Sequence, residues 1–358
     1  MIDEFPASFT GPIRMAELPD GRVLASDARE GRLVVLDFAS GAQVSATTRG
    51  DGPLEYRTGF RFASAGDSAW MFDLMRGRIL VFSPAGSPVS SFDVTDGASQ
   101  SRISAPRLLA VMSNGDWYGD ARGMSIDAAG AGFAESTAVV RVRATADSDP
   151  VARESTRDTL AMLRADGLYR PNADGTRRLS QFDPYDLAAV FSDGRVLVVR
   201  GERYETEVVM PDGTRRMIGP VSHDRMRLGA AELKLVVDSL NRLSAGLIAM
   251  SMAQLPVPAG SAPRAPGLVA PRPAPEWWPV LMAETIPVDT RDRAWVAVRD
   301  SSLATLGQRY DLIDREGVLV GAVRVPPRYE LVGFGAEHLF VARRDADDLL
   351  WLQRYALP

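Results

Sequence analysis

The chain writes one phrase twice. Residues 27–36 read DAREGRLVVL and residues 73–82 read DLMRGRILVF, so that Asp27 to Leu36 and Asp73 to Phe82 match position for position, 46 residues apart. A period of roughly 20 to 50 residues marks stacked supersecondary units, none of which can bury its apolar face alone. Around the first copy, GPIRMAEL (11–18), GRVLAS (21–26), RLVVLDF (32–38) and AQVSATT (42–48) form four short β-prone runs separated by Gly-bearing turns. FRFAS, SAWMFD, RILVFSP and PVSSFDV repeat them around the second copy. Four short strands at this spacing predict the blade of a β-propeller.

Looser units follow at 107–154 (RLLAVM, GDWYGD, TAVVRVRA, PVARES), 185–219, 280–325 (beginning VLMAETIPVD) and 329–357. Within the fourth, DGRVL at Asp193 to Leu197 copies DGRVL at Asp20 to Leu24. The prediction is an all-β fold, one six-bladed propeller domain over 1–358 with a helical and Pro-rich insertion between blades 4 and 5. The sixth unit stops after its third strand, and IDEFPASF (2–9) is the strand-like segment left over. It is expected to fill the outer edge of the last blade, where Pro6 is tolerated because an edge strand can lack a donor.

The repeated phrase resembles NHL-type blades. With RGDGPLEYR (49–57), which carries Gly50, Gly52, Pro53, Glu55 and Tyr56, the chain resembles bacterial six-bladed propellers of the NHL/TolB-like superfamily. Leu54 stands where such proteins commonly have a second Gly. The resemblance implies the fold and an extracytoplasmic (periplasmic or secreted) location, and it implies no reaction. The start MIDEFPASFT has neither a basic nor an apolar leader region, so no signal peptide is read from it.

Composition removes several chemistries. There is no cysteine, which excludes disulfides, thiol nucleophiles and Cys-based metal sites. Histidine is limited to His223 and His338, too few for a multi-histidine centre. A net charge of −5 argues against nonspecific nucleic-acid binding, and LSAGLIAMSMAQL (243–255) is too short to span a bilayer. A soluble chain is expected. Of the 41 basic residues only Lys234 is lysine, a bias that reads first as GC-rich codon usage and second as selection for forked anion contacts.

Propeller geometry places blade-to-blade connections on the same face as the turns between second and third strands. The Gly-Pro loop (49–58), residues 155–184 and residues 220–279 should therefore crowd one face. Within the last, Leu233, Val236, Leu240, Leu243, Leu247 and Met250 step by three and four, predicting a helix over 229–254. That helix either packs on the propeller or serves as a lid or partner contact, a role to which Met250 and Met252 are suited. Residues 256–279 hold 8 of the 24 prolines, a stiff spacer ending in Trp277 and Trp278, which should anchor it.

The candidate ligand-binding residues are Glu55, Tyr56 and Arg57 in the Gly-Pro loop and Arg76, Arg200, Arg203, Arg299 and Arg343 (with Arg344) near the second-to-third-strand turns. Converging arginines would favour carboxylate, sulfate or phosphate groups, although Glu202, Asp300, Asp345 and Asp347 are placed to neutralise them. Asp27 and Asp73 read as acceptors for turn amides, because a catalytic residue would not recur in each unit. His338 reads as a turn residue, and His223 is placed to approach the channel mouth.

Two functions follow. The first is a non-catalytic module binding a protein, peptide or saccharide at the capped face of the central channel, with a monomer the expected form. The alternative is a metal-dependent propeller hydrolase or lyase of lactonase or esterase type, with a divalent cation such as calcium in the channel. Of the three asparagines (Asn114, Asn172, Asn241), none is placed to reach it, so no metal ligand is assigned.

Overall fold

The computed structural model describes residues 1–358 apart from 74, 95–106, 128–129, 144–156, 166–168, 172–176, 180–181, 254–267 and 271–272. After β1 (Asp3–Phe9), blade 1 is β2 (Ile13–Glu17), β3 (Val23–Asp27), β4 (Arg32–Asp37) and β5 (Ala42–Ser45). Blade 2 is β6 (Gly59–Ala65), β7 (Ser68–Asp73), β8 (Arg78–Phe82) and β9 (Pro88–Asp93). Blade 3 is β10 (Arg107–Val111), β11 (Trp117–Asp127), β12 (Gly130–Val142) and β13 (Arg157–Arg164). The short strands β14 (Tyr169–Pro171) and β15 (Arg177–Leu179) precede blade 4, which is β16 (Asp186–Val190), β17 (Val196–Arg200), β18 (Glu205–Val209) and β19 (Arg215–Pro220). Helix α1 (Ala230–Ala253) and β20 (Leu268–Val269) follow, and β14, β15 and β20 share a small sheet. Blade 5 holds β21 (Ala294–Val298), the short helix α2 (Leu303–Leu306), β22 (Gln308–Ile313) and β23 (Leu319–Val325). Blade 6 is β24 (Tyr329–Phe334), β25 (His338–Arg344) and β26 (Leu350–Ala356), with β1 as its fourth strand.

The six blades form the propeller ring that the repeat predicts. Apolar side chains concentrate in the middle strands. All of β3 is buried and all of β5 is exposed. Six apolar clusters fill the seams between successive blades. One packs Leu24, Leu33 and Leu80 between blades 1 and 2, another packs Leu197, Val208 and Val296 between blades 4 and 5. At the seam of blades 6 and 1, Phe5 and Phe9 of β1 are fully buried with Phe340 and Val23. β1 runs antiparallel to β26, with Asp3 opposite Arg354 and Phe9 opposite Leu350.

Two expected strands are corrected. The outer strand of blade 3 is β13; PVARES, expected there, lies wholly outside the described residues, and Leu160, Ala161 and Leu163 supply the buried side that the edge needs. In blade 5, VLMAETIPVD is not a continuous strand. It meets β21 only at isolated bridges, Leu281 with Val298 and Val288 with Ala294, and Pro287 cannot donate to a ladder. The carbonyl of Glu284, in the break, accepts instead from Arg61 Nη2 at 3.4 Å. Arg61 Nη1 also reaches the Leu108 carbonyl at 3.4 Å. Arg61 comes from blade 2 and Glu284 from the opposite side of the ring, so this buried side chain crosses the central axis.

The repeated aspartates are turn acceptors. Asp27 takes the backbone amides of Thr10, Arg29 and Glu30 at 2.8, 3.0 and 3.1 Å, tying the incoming connection to the turn after β3. Asp73 takes the amides of Arg57 and Thr58 at 2.8 and 3.1 Å in the same role. The repeat's glycines, Gly31 and Gly77, have φ of 62° and 61°, a conformation that a β-carbon disfavours.

Candidate functional site

The sequence candidates do not gather in one place. The Gly-Pro loop is closed on itself. Glu55 accepts from the Gly52 amide at 2.7 Å, and a β-carbon on Gly50 would stand 2.0 Å from the Glu55 carboxylate. Tyr56 is buried and donates to the Gly31 carbonyl at 2.6 Å; burial pushes its phenol up to about 12. Arg57 and Arg76 both pair with Asp51, and Arg78 bonds to the carbonyls of Gly52 and Glu55. These side chains satisfy one another and stiffen the link between blades 1 and 2.

The arginines of the other blades do not converge. Arg200 bridges Asp186 and Glu207 at 2.8 and 2.5 Å inside blade 4. Arg343 pairs with Glu4 at 3.0 Å and Arg344 with Glu330 at 2.9 Å. Arg203 is exposed, 3.9 Å from Glu205. Arg299 differs from all of these. Among the described residues its guanidinium has no hydrogen bond or ion pair; it lies over the Trp278 ring, 4.2 Å from the centroid. Burial lowers its pKa, and the nearby Tyr185 and Glu232 partly oppose this.

Trp278 leads to the cavity. Residues 226–228 and 276–278 pair as a short antiparallel ladder, with the Trp278 amide on the Met226 carbonyl and the Leu228 amide on the Glu276 carbonyl, both at 2.9 Å. The ladder turns Trp278 inward against Phe182, Leu228 and Leu233, the last on α1, which anchors the return of the insertion. Val236 and Leu240 of the predicted helical stripe pack against the same cluster; the side chains of Leu243, Leu247, Met250 and Met252 lie outside the described residues. Most of the Pro-rich spacer does so as well. Between this cap and the turn after β17 lies a cavity of about 180 Å³, lined by Phe182, Gly201, Glu202, His223, Arg225, Glu276, Trp277 and Trp278 together with prolines 184, 275 and 279 and Val280.

His223 Nδ1 sits 3.2 Å from the Val221 carbonyl, and its ring packs edge-on against buried Tyr204. A proton on Nδ1 would leave Nε2 as an acceptor. Arg225 lies 4.9 Å from the Trp277 centroid. Sequence reasoning singled out His223 and the tryptophans but missed Arg225, whose signal is the alternation Arg225-x-Arg227 opposite Trp277. His338 begins β25 rather than lying in a turn, and its Nδ1 is 2.9 Å from Glu17 of blade 1.

The polar lining near the axis does not fit a calcium site. Asp120 is paired with Arg107 and Asp186 with Arg200, and among the described residues no three His, Cys, Asp or Glu side chains gather to hold an ion. No helix among the described residues is long and apolar enough to cross a membrane.

No family model and no curated protein matches the sequence. Solved structures with a similar fold include a streptogramin B lyase, 13% identical with a TM-score of 0.43 over 100% of this chain and 87% of that one. A DUF4221 family member from Bacteroides vulgatus is 10% identical with a TM-score of 0.48, covering 99% and 96% of the two chains. A gluconolactonase from Xanthomonas campestris is 12% identical with a TM-score of 0.45, covering 99% and 91%. The chain is a six-bladed β-propeller, and these likenesses extend to the fold alone.

Proposed function

We propose that the protein is a non-catalytic binding propeller whose ligand enters the cleft between blade 4 and the cap. The observation that carries this reading is the cavity of about 180 Å³ under Trp277 and Trp278. A cavity near 150 Å³ holds one benzene-sized ring. The ligand is therefore a single-ring molecule, or one sugar or side chain of a larger saccharide, peptide or protein. Indole faces supply apolar area at low entropic cost, while His223, Glu202 and Glu276 supply hydrogen-bonding groups at the edge. The channel itself is a poorer entrance, since Arg61 crosses it.

The monomeric state and the extracytoplasmic location implied by the resemblance belong to the same proposal and are checked by sedimentation and by fractionating producing cells. The site is tested by ligand-observed NMR and thermal shift against a panel of single-ring sugars and aromatic compounds, using the parent and Trp277→Ala. Binding that is lost in Trp277→Ala at unchanged melting temperature supports the site. A parent that binds nothing, or a variant that binds equally well, overturns it.

A further inference from the structure

Resting on that reading of the cavity, we infer that its ligand is an organic anion, a carboxylate carried on a ring. The argument is a charge account of the walls. The two carboxylates that line the cavity are already matched by arginines that do not line it: Glu202 pairs with Arg164 at 3.0 Å and Glu276 with Arg227 at 3.2 Å. Asp183 and Asp224 flank the lining residues in sequence without lining the cavity themselves.

The cations are not matched. Arg225 lines the cavity with its guanidinium against Trp277 and, among the described residues, has neither an ion pair nor a hydrogen bond. Behind Trp278 stands Arg299, partly buried and likewise without an ion pair, its Nε fully enclosed. Glu232 of α1 is near enough to act on it electrostatically but is not bonded to it. The indole Nε1 of Trp278 is also buried with no partner among the described residues.

At Arg299, which is partly buried, an unmatched guanidinium is costly unless something compensates it, and stacking on indole recovers part of that cost. Arg225 is exposed and carries no such penalty; its free guanidinium offers a ligand carboxylate forked, charge-assisted hydrogen bonds. Arg225 is placed to make those bonds from the rim. Arg299 acts through Trp278, adding positive potential in a region of low dielectric. The ring of the ligand would lie against Trp277 or Trp278, in the volume that admits one ring.

The probes are benzoate against benzamide and glucuronate against glucose, titrated calorimetrically into the parent, Arg225→Gln and Arg299→Gln. The carboxylates should bind and their neutral counterparts should bind at least about tenfold more weakly. Arg225→Gln should lose about tenfold or more in carboxylate affinity, and Arg299→Gln less, both with a reduced preference over the neutral probe and a weaker salt dependence. That preference ratio separates a charge effect from a general loosening of the cap, which would weaken both probes together. Neutral probes that bind as tightly as carboxylates overturn the anion inference and leave the site standing. Affinity for anions that survives both substitutions overturns it as well, and a parent that binds none of the four overturns both readings.

Discussion

Arg299 of blade 5 lies with its guanidinium 4.2 Å from the indole centroid of Trp278 in the cap. The contact ties the returning insertion to the ring, because the Arg299 amide also bonds the Val280 carbonyl at 2.7 Å. Trp278→Ala removes a partly buried ring packed against Phe182, Leu228 and Leu233. Loss of a fully buried ring costs about 3–5 kcal/mol; here the loss should be smaller and fall on the cap rather than on the blades. Limited proteolysis should cut the variant within 220–279 well before the parent, with the ring's main thermal transition kept. A variant as resistant as the parent would show that the cap is held elsewhere.

Closure of the ring rests on β1. Phe5 and Phe9 are fully buried in the seam between blades 6 and 1, so replacing both with Ala should destabilise by several kcal/mol, each truncation costing about 3–5. Urea unfolding measures this. A loss below about 1 kcal/mol would mean that the seam does not depend on the strand.

Arg107 and Asp120 form a buried ion pair at 2.5 Å inside blade 3. Removing one member leaves a charge stranded, so Arg107→Met alone should cost about 3–5 kcal/mol. The double change Arg107→Met with Asp120→Leu should recover much of that loss. Equal losses in the single and double variants would argue against charge stranding as the cause.

Acid should unfold the protein partly through Glu207. Burial raises its pKa, but hydrogen bonds from Arg200 and Arg215 outweigh burial and hold it below the ordinary 4.5. A folded pKa below the unfolded one gives stability that is present above the unfolded value and is lost as pH falls through the folded value. Glu207→Gln should therefore be less stable than the parent at neutral pH, with the gap closing below about pH 4.5. Urea midpoints across the acid range test this, and a gap that stays constant with pH would count against it.

The ring was legible because period and burial report the same thing. Asp27 and Asp73 recur since each binds the connection entering its blade, and Gly31 and Gly77 recur since that turn needs positive φ. Blade 5 was legible in number but not in detail. VLMAETIPVD has the apolar alternation of a strand, but Pro287 and the pull of Arg61 on the Glu284 carbonyl break its ladder. β13 was hidden for the opposite reason, an outer strand having only one apolar side to show.

The site was less legible. Arg76, Arg200, Arg343 and Arg344 looked like a ring of free cations because a sequence shows charge without showing its partners. Asp51, Glu207, Glu4 and Glu330 answer them in space. Arg225 went unnoticed because the alternation Arg225-x-Arg227 means little without its partner Trp277, which lies about fifty residues away, across the insertion.

The pairing of β1 with β26 also sets an order of events during synthesis. Asp3 and Arg354 bond at 2.7 Å although 351 residues separate them. A ribosome adding roughly 5–20 residues per second delivers the second strand many seconds after the first. Through that interval Phe5 and Phe9 can meet only the blade 1 side of their seam, Val23 and Phe38 included, while Phe340, Leu350 and Leu352 of blade 6 are still to come. The strand made early is thus the last to complete its pairing, and the ring closes only when the final strand emerges.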